Sequence, residues 1–276
     1  MIHIGQKNTL TVARITGVGF YLTDGEGNDV LLPNKYIPDA LRVGDAIEVF
    51  IYTDSEDRPI ATTLNPFILL NQFGYLRVKD VSGIGAFLEW GLEKDLFVPF
   101  KEQNAKMKVD GKYVVYMYLD AKTNRLVASN KINKFLDNET LSVKTGEEVE
   151  VMVFNETELG FKVIVNSRHE GLVYHNEIFR PLQIGDVLKG YVKTIREDNK
   201  IDIVLQKQGF ENMDVNTQTV LDYLNANKGF LKLTDNSSPE EIAETLKMSK
   251  KNFKKAIGVL YKKQMVQLQV DGVYLI

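Results

Sequence analysis

Over most of the chain, apolar and polar residues alternate in short runs separated by Gly, Asn and Asp. Phe73-Gly-Tyr-Leu-Arg-Val-Lys-Asp-Val81 has the period of two expected of a half-buried strand. Ser82-Gly83-Ile84-Gly85 supplies a turn, Ala86-Phe-Leu-Glu-Trp90 a second strand and Leu96-Phe-Val-Pro99 a short third. Residues 101–108 are helix-compatible and lead into Lys112-Tyr-Val-Val-Tyr-Met-Tyr-Leu119. A turn at Ala121-Lys-Thr-Asn and a last run, Arg125-Leu-Val-Ala-Ser, close the unit. Five short strands with a small helical connection between the third and fourth predict a five-stranded Greek-key barrel.

The unit occurs three times. Gly19, Gly85 and Gly160 each stand at a hairpin-like turn, with Leu41, Met107 and Leu182 22 residues later and Val43, Val109 and Ile184 24 residues later. One spacing held three times marks a tandem array. After Gln206 the period becomes helical. Val220, Leu221 and Leu224 form a stripe, and Ser238-Pro239-Glu240-Glu241 carries a cap, an N1 proline and first-turn acids. Ser249 then caps a longer helix through Lys263, with Phe253, Ile257 and Leu260 inward. From Met265 a hairpin is expected on the Asp271-Gly272 turn. This order predicts a winged helix. The expected architecture is mostly β with a small α+β C-terminal domain: barrels over residues 1–66, 67–134 and 135–210, then a winged helix over 214–276.

The 276 residues are 44% hydrophobic and 10% aromatic, as in packed globular domains. With no cysteine, neither disulfides nor thiolate-bound zinc can staple the units. Met1-Ile-His-Ile-Gly-Gln lacks a basic segment followed by an apolar one, and no apolar run is long enough for a bilayer. A cytoplasmic protein without membrane contact is expected. The net charge of −3 divides unevenly: −4 over residues 1–66, +4 over 67–134, −5 over 135–213 and +2 over 214–276. A polyanion would therefore meet the second repeat or the C-terminal unit. Charge that alternates only to keep neighbouring domains soluble and docked would give the same pattern.

The third repeat reads Glu170-Gly-Leu-Val-Tyr-His-Asn-Glu-Ile178, very close to the Glu-Gly-Leu-Val-His-Ile-Ser-Glu-Ile stretch of the S1 RNA-binding domain, an OB-fold. Gly85-Ala86-Phe87 resembles the Gly-Ala-Phe that begins the second strand of that family. The array of three such repeats plus the C-terminal unit resembles, over essentially the whole chain, the conserved virulence factor B family of bacterial RNA-binding proteins. The resemblance implies single-strand binding, with bases stacked on aromatic residues of the second and third strands and phosphates met by a basic residue near the fifth.

Carried over, the Gly-Ala-Phe aromatic falls on Tyr21, Phe87 and Lys162, so the third repeat departs from the pattern. The third-strand ring position falls on Leu32, Val98 and Tyr174, and an earlier aromatic on Val18, Ile84 and Leu159. The basic position falls on Arg58, Arg125 and Lys200. Each repeat offers an incomplete platform, which predicts weak sites that add through tethering. Tyr21, Phe87 and Tyr174 are expected on the surface. Phe20, Phe97 and Phe161, and most of Phe50, Tyr113, Tyr116, Phe154 and Tyr191, are expected in cores. Lys250, Lys251, Lys254 and Lys255 fall on one exposed face of the last helix. They predict contact with a nucleic-acid backbone, RNA or DNA; a plain solvated face or a protein-docking surface fits the same residues. With Asn252 as the sole amide there, base readout is not expected.

His3, His169 and His175 form no ligand cluster, and His175 is expected to be packed at an apolar strand position. Gly17-Val-Gly19 and Gly83-Ile-Gly85 join strands and open no helix, so they are not phosphate loops. Asp54 and Asp57 lie in a turn, where solvation accounts for them. No catalytic residue, metal ligand or cofactor is expected. The leading reading is an RNA-binding protein that regulates expression after transcription by occupancy. Its rival is a scaffold of degenerate barrels docking a ribosome, RNA polymerase or RNA-processing partner. A nuclease or processing factor is a third.

Overall fold

The computed structural model describes residues 1–178, 181–205 and 215–276. The change of period after Gln206 and the expected boundary between 210 and 214 lie outside them. The chain divides into two compact units, residues 1–203 and 204–276.

The first unit is a row of three closed five-stranded barrels. The first holds β1 (Lys7–Thr16), β2 (Gly19–Thr23), β3 (Asp29–Pro33), β4 (Ala46–Thr53) and β5 (Pro59–Thr62). The second holds β6 (Phe73–Val81), β7 (Gly85–Glu89), β8 (Leu96–Pro99), β9 (Lys112–Leu119) and β10 (Leu126–Ser129). The third holds β11 (Glu148–Glu156), β12 (Gly160–Val165), β13 (His169–Tyr174), β14 (Val187–Ile195) and β15 (Ile201–Val204). All three close in the order first, second, third, fifth, fourth strand, with the fifth parallel to the third.

The repeated glycines have a steric cause. A Cβ on Gly19, Gly85 or Gly160 would run into the carbonyl oxygen of Leu32, Val98 or Val173 on the third strand. Every barrel also bulges its first strand at the same place, between Val12 and Arg14, Val78 and Asp80, and Val153 and Asn155. The extra residue increases the local twist that closes so short a barrel. The helical connection is only one 3-10 turn: Asn34–Tyr36, Phe100–Glu102 or His175–Glu177. The helix-compatible residues 101–108 leave the helical region at Gln103, whose backbone is extended (φ −100°, ψ 136°). Its amide donates to the Val98 carbonyl (3.0 Å) and accepts from the Met107 N–H (3.0 Å).

Neighbouring barrels share hydrophobic cores. Phe50 and Tyr52 of β4 pack edge-on against Trp90 after β7, with centroids 5.7 and 6.4 Å apart, inside the second barrel's cluster. Phe73, Val114 and Ile132 meet Ile164 of the third barrel, beside the stacked Tyr116–Phe135 pair at 4.1 Å. Of the rings expected in cores, Phe50 is buried within one. Tyr116 and Phe154 line the junction of barrels two and three. Tyr191 points outward and donates to Glu148 (3.0 Å). A strand that serves a junction buries part of its outer face, which alternation alone cannot distinguish from a core face.

The second unit holds α1 (Val215–Ala226), β16 (Phe230–Leu231), α2 (Pro239–Leu246), α3 (Lys250–Lys262), β17 (Val266–Leu268) and β18 (Val273–Leu275), with sheet order β16-β18-β17. Ser238 accepts from the Glu241 N–H, and the Glu241 carboxylate accepts from the Ser238 N–H, a complete capping box. Ser249 caps α3 by accepting from the Asn252 N–H. Val220, Leu221, Leu224, Phe253, Ile257 and Leu260 meet in its core as their spacing requires. The two-residue β16 is too short to show a period.

Candidate nucleic-acid interface

Strand register fixes what each barrel presents. Tyr21 lies opposite Leu31, Phe87 opposite Phe97, and Lys162 opposite Leu172. Gly19, Gly85 and Gly160 pair with Pro33, Pro99 and Tyr174. The counterparts of Tyr174 are therefore the two prolines. Leu32 and Val98, to which the resemblance assigned that position, point inward and are fully buried. Phe97 is corrected too. It stands half-buried on the outer face between inward Leu96 and Val98, with its ring 5.1 Å from that of Phe87. Phe161 is buried as expected and Phe20 is half-buried. Val18, Ile84 and Leu159 project from the turn before each second strand and are 63%, 65% and 64% exposed, so every barrel carries an apolar tip beside this face.

In the first barrel the Arg14 guanidinium covers the Tyr21 ring at 4.1 Å and pairs with Asp29. Arg58 is held within its own turn, with Nε and Nη2 on Asp54 (2.9 and 2.8 Å) and Nη1 on Glu56 (2.9 Å). Both cations there are already matched by acids.

The second barrel opens a groove of about 390 Å³ lined by Phe87, Trp90, Lys94, Phe97 and Arg125, with Tyr52 contributed by the first barrel. Arg125 pairs with Asp57, at the tip of the turn between β4 and β5. The same turn accepts from Lys94 through the Asp54 carbonyl (2.6 Å), and Asp57 lies 3.9 Å from that ammonium. Burial pulls the Lys94 ammonium below the ordinary lysine range, with Asp57 opposing. Solvation alone therefore does not account for Asp57, which reaches across to hold a cation of the next barrel.

The third barrel carries a wider groove of about 770 Å³ under Tyr174, Lys162, Arg196 and Lys200. Its cations are paired as well: Lys162 with Glu170 (2.8 Å), Lys200 with Asp198 (2.6 Å) and Arg196 with Asp202 (2.9 Å). Arg196 also bonds the Tyr174 hydroxyl and lies 5.8 Å from its ring centre. Sequence reasoning missed Arg14, Lys94, Phe97 and Arg196. For Phe97 the signal was present, since alternation puts it on the face opposite Leu96 and Val98.

The packed histidine is His169, not His175. His169 is fully buried, and Nε2 accepts from the Ser142 N–H (3.1 Å). Its Nδ1–H is then left to donate to the Asp137 carbonyl, which describes a structural ring. His175 is exposed on the 3-10 turn, 3.0 Å from the Thr157 carbonyl. Among the described residues, no group of three or more His, Asp or Glu side chains could hold a metal ion.

On α3, Lys251, Lys254 and Lys255 are exposed and Lys250 is half-buried. Lys250 reaches the Asn236 carbonyl (3.4 Å), and Lys254 lies 4.0 Å from Asp235. Asn252 is 3.5 Å from Asn216 of α1. No described helix is long and apolar enough to cross a membrane.

Residues 4–64 and 72–131 match the S1 domain, and residues 218–275 match the CvfB-like winged helix domain. Among curated relatives, the Bacillus subtilis protein YitL is 29% identical over 98% of this chain and 93% of its own. Conserved virulence factor B of Staphylococcus aureus is 26% identical over 99% of this chain and 94% of its own. The crystal structure of a multidomain protein with nucleic acid binding domains from Streptococcus pneumoniae aligns over 99% of this chain and 98% of that one. It shows 24% identity and a TM-score of 0.47.

Proposed function

The chain belongs to the conserved virulence factor B family, and from that premise we propose that it is a non-catalytic, cytoplasmic protein that binds single-stranded RNA through its tandem barrels. By occupying RNA it would regulate transcript fate or translation. The observation that carries this reading is the outward Phe87–Phe97 pair, 5.1 Å apart, in one groove with Arg125 and Lys94 of an S1-matched barrel. Paired ring faces stack bases whatever their sequence, and adjacent cations meet phosphates. The pairing of Arg58, Arg125, Lys162 and Lys200 with carboxylates argues for weak individual sites. Summed over barrels 1–66, 67–134 and 135–210, they give useful affinity. The winged helix over 214–276 adds phosphate contacts through Lys250, Lys251, Lys254 and Lys255, or docks a protein there.

Salt separates this reading from the scaffold one. Anisotropy of a labelled single-stranded RNA should fall steeply as salt rises, by about 0.7 in logarithmic slope per neutralised phosphate. Retention of a protein partner at high salt, with no RNA binding at low salt, would favour the scaffold.

Asp57 occupies the cation that RNA would use. Asp57→Asn is therefore expected to tighten single-stranded RNA binding several-fold at low salt. The slope should steepen by about 0.7, one added phosphate contact. An unchanged slope in the same titration would show that Arg125 does not meet RNA.

A further inference from the structure

The grooves on the second and third barrels' own faces both contain acids: Glu93 and Asp95 in one; Glu158, Glu170, Asp198 and Asp202 in the other. A third groove, of about 620 Å³, lies where these two barrels meet, and none of the described residues lining it is Asp or Glu. Lys112, Lys131, Lys134 and Lys162 line it together with four asparagines. Lys134 and Lys162 are paired with Glu102 and Glu170, while Lys112 and Lys131 have no ion pair among the described residues. In a chain whose net charge is −3, two unmatched ammonium groups in an acid-free lining concentrate positive potential in one place.

The donors there are arranged for an anion. Lys112 forms no ion pair among the described residues. Lys134 is fixed by Glu102 (3.0 Å), a carboxylate only 8% exposed that also accepts from Ser129 (2.7 Å). Burial pushes the Glu102 carboxyl up, but the Ser129 and Lys134 hydrogen bonds outweigh it, and Lys131 adds to them through space. The buried Glu102 carboxylate, held below the ordinary glutamate range, positions Lys134. Tyr113 of β9 and Phe154 of β11 add two half-buried rings to the lining, one from each barrel.

The cleft also leads somewhere. Asn133 and Lys162 line both it and the groove under Tyr174. We propose that this junction cleft carries the phosphodiester backbone of single-stranded RNA between the second barrel and the face of the third. This rests on the RNA-binding reading above and assigns the strand's path. Lys162, at the position where the S1 pattern has a ring, becomes the shared contact where the two grooves meet. A shared apolar junction, the Phe73, Val114, Ile132 and Ile164 cluster, holds the walls in register, so little ordering is required on binding.

The test uses the full chain and a labelled single-stranded oligoribonucleotide, titrated across salt concentrations. Lys112→Ala with Lys131→Ala should lower the logarithmic salt slope by about 1.4, the value for two phosphates on a single strand. K112E with K131E should weaken low-salt binding at least ~10-fold, since two like charges then face the backbone. Lys101→Ala with Lys122→Ala removes the same net charge outside all three grooves and should leave affinity near the parent value. Unchanged thermal midpoints would establish that each variant is folded. Equal losses in both lysine pairs would mean that binding follows net charge, which overturns the cleft. Full binding by the junction variants, with loss in Phe87→Ala, overturns the cleft and leaves RNA binding standing. No binding by the unaltered chain removes the parent reading and the cleft with it.

Discussion

Trp90→Ala is expected to destabilise the first two barrels together by about 3–5 kcal/mol, the usual cost of emptying a large aromatic site. Trp90 is 2% exposed, packs edge-on against Phe50 and Tyr52 of the first barrel, and donates Nε1–H to the Lys94 carbonyl at 2.6 Å. The alanine would leave a cavity between two barrels, an unpaired carbonyl, and a loosened loop that carries Lys94 to Asp54 and Asp57. Urea denaturation followed by circular dichroism should show one shared transition moving to lower denaturant. If only the second barrel's transition moved, the two barrels would not fold on a common core.

Phe87→Ala is expected to weaken single-stranded RNA binding by about 1–3 kcal/mol, roughly 5- to 150-fold, at every salt concentration. The ring stands on the outer face of β7 beside Phe97, in the barrel region whose sequence carries a net +4. In the Asp57→Asn background, where Arg125 can meet phosphate, Arg125→Ala should act mainly at low salt and return the slope to that of the parent, because a phosphate contact is an ionic one. Tyr21→Ala should cost less, since Arg14 already covers that ring and residues 1–66 carry a net −4. Anisotropy titrations of the three folded variants decide the ranking. Greater damage from Tyr21→Ala than from Phe87→Ala would contradict it.

What the sequence made legible was local. Gly19, Gly85 and Gly160 mark turns because β2, β7 and β12 pass directly under a third-strand carbonyl, leaving no room for a Cβ. Ser238, Glu241 and Ser249 cap helices using only neighbours in sequence. Register between strands was less legible. Leu32 and Val98 satisfy an alternating pattern whichever way they point. Only the constant 14-residue spacing from each glycine to Pro33, Pro99 and Tyr174 would have revealed the pairing. The rest depends on contacts distant in sequence. Asp57 meets Arg125 68 positions away, and His169 is buried by residues 137–142, some 30 positions earlier. Neither composition nor period carries that information. The junctions explain the misplaced rings in the same way: Tyr116 and Phe154 sit on outer faces that a neighbouring barrel covers.

Tandem barrels that stack bases should select single-stranded RNA over duplex. The most direct measurement is competition on the intact chain, with a labelled single-stranded RNA displaced by unlabelled single strand or by duplex of the same sequence and length at moderate salt. Stacking on Phe87 and Phe97 needs bases whose faces are free, which a duplex does not offer. The single strand should compete at least ~10-fold more effectively than the duplex, and Phe87→Ala should abolish most of that preference. Equal competition by the duplex, or a preference that survives Phe87→Ala, would contradict selection by stacking.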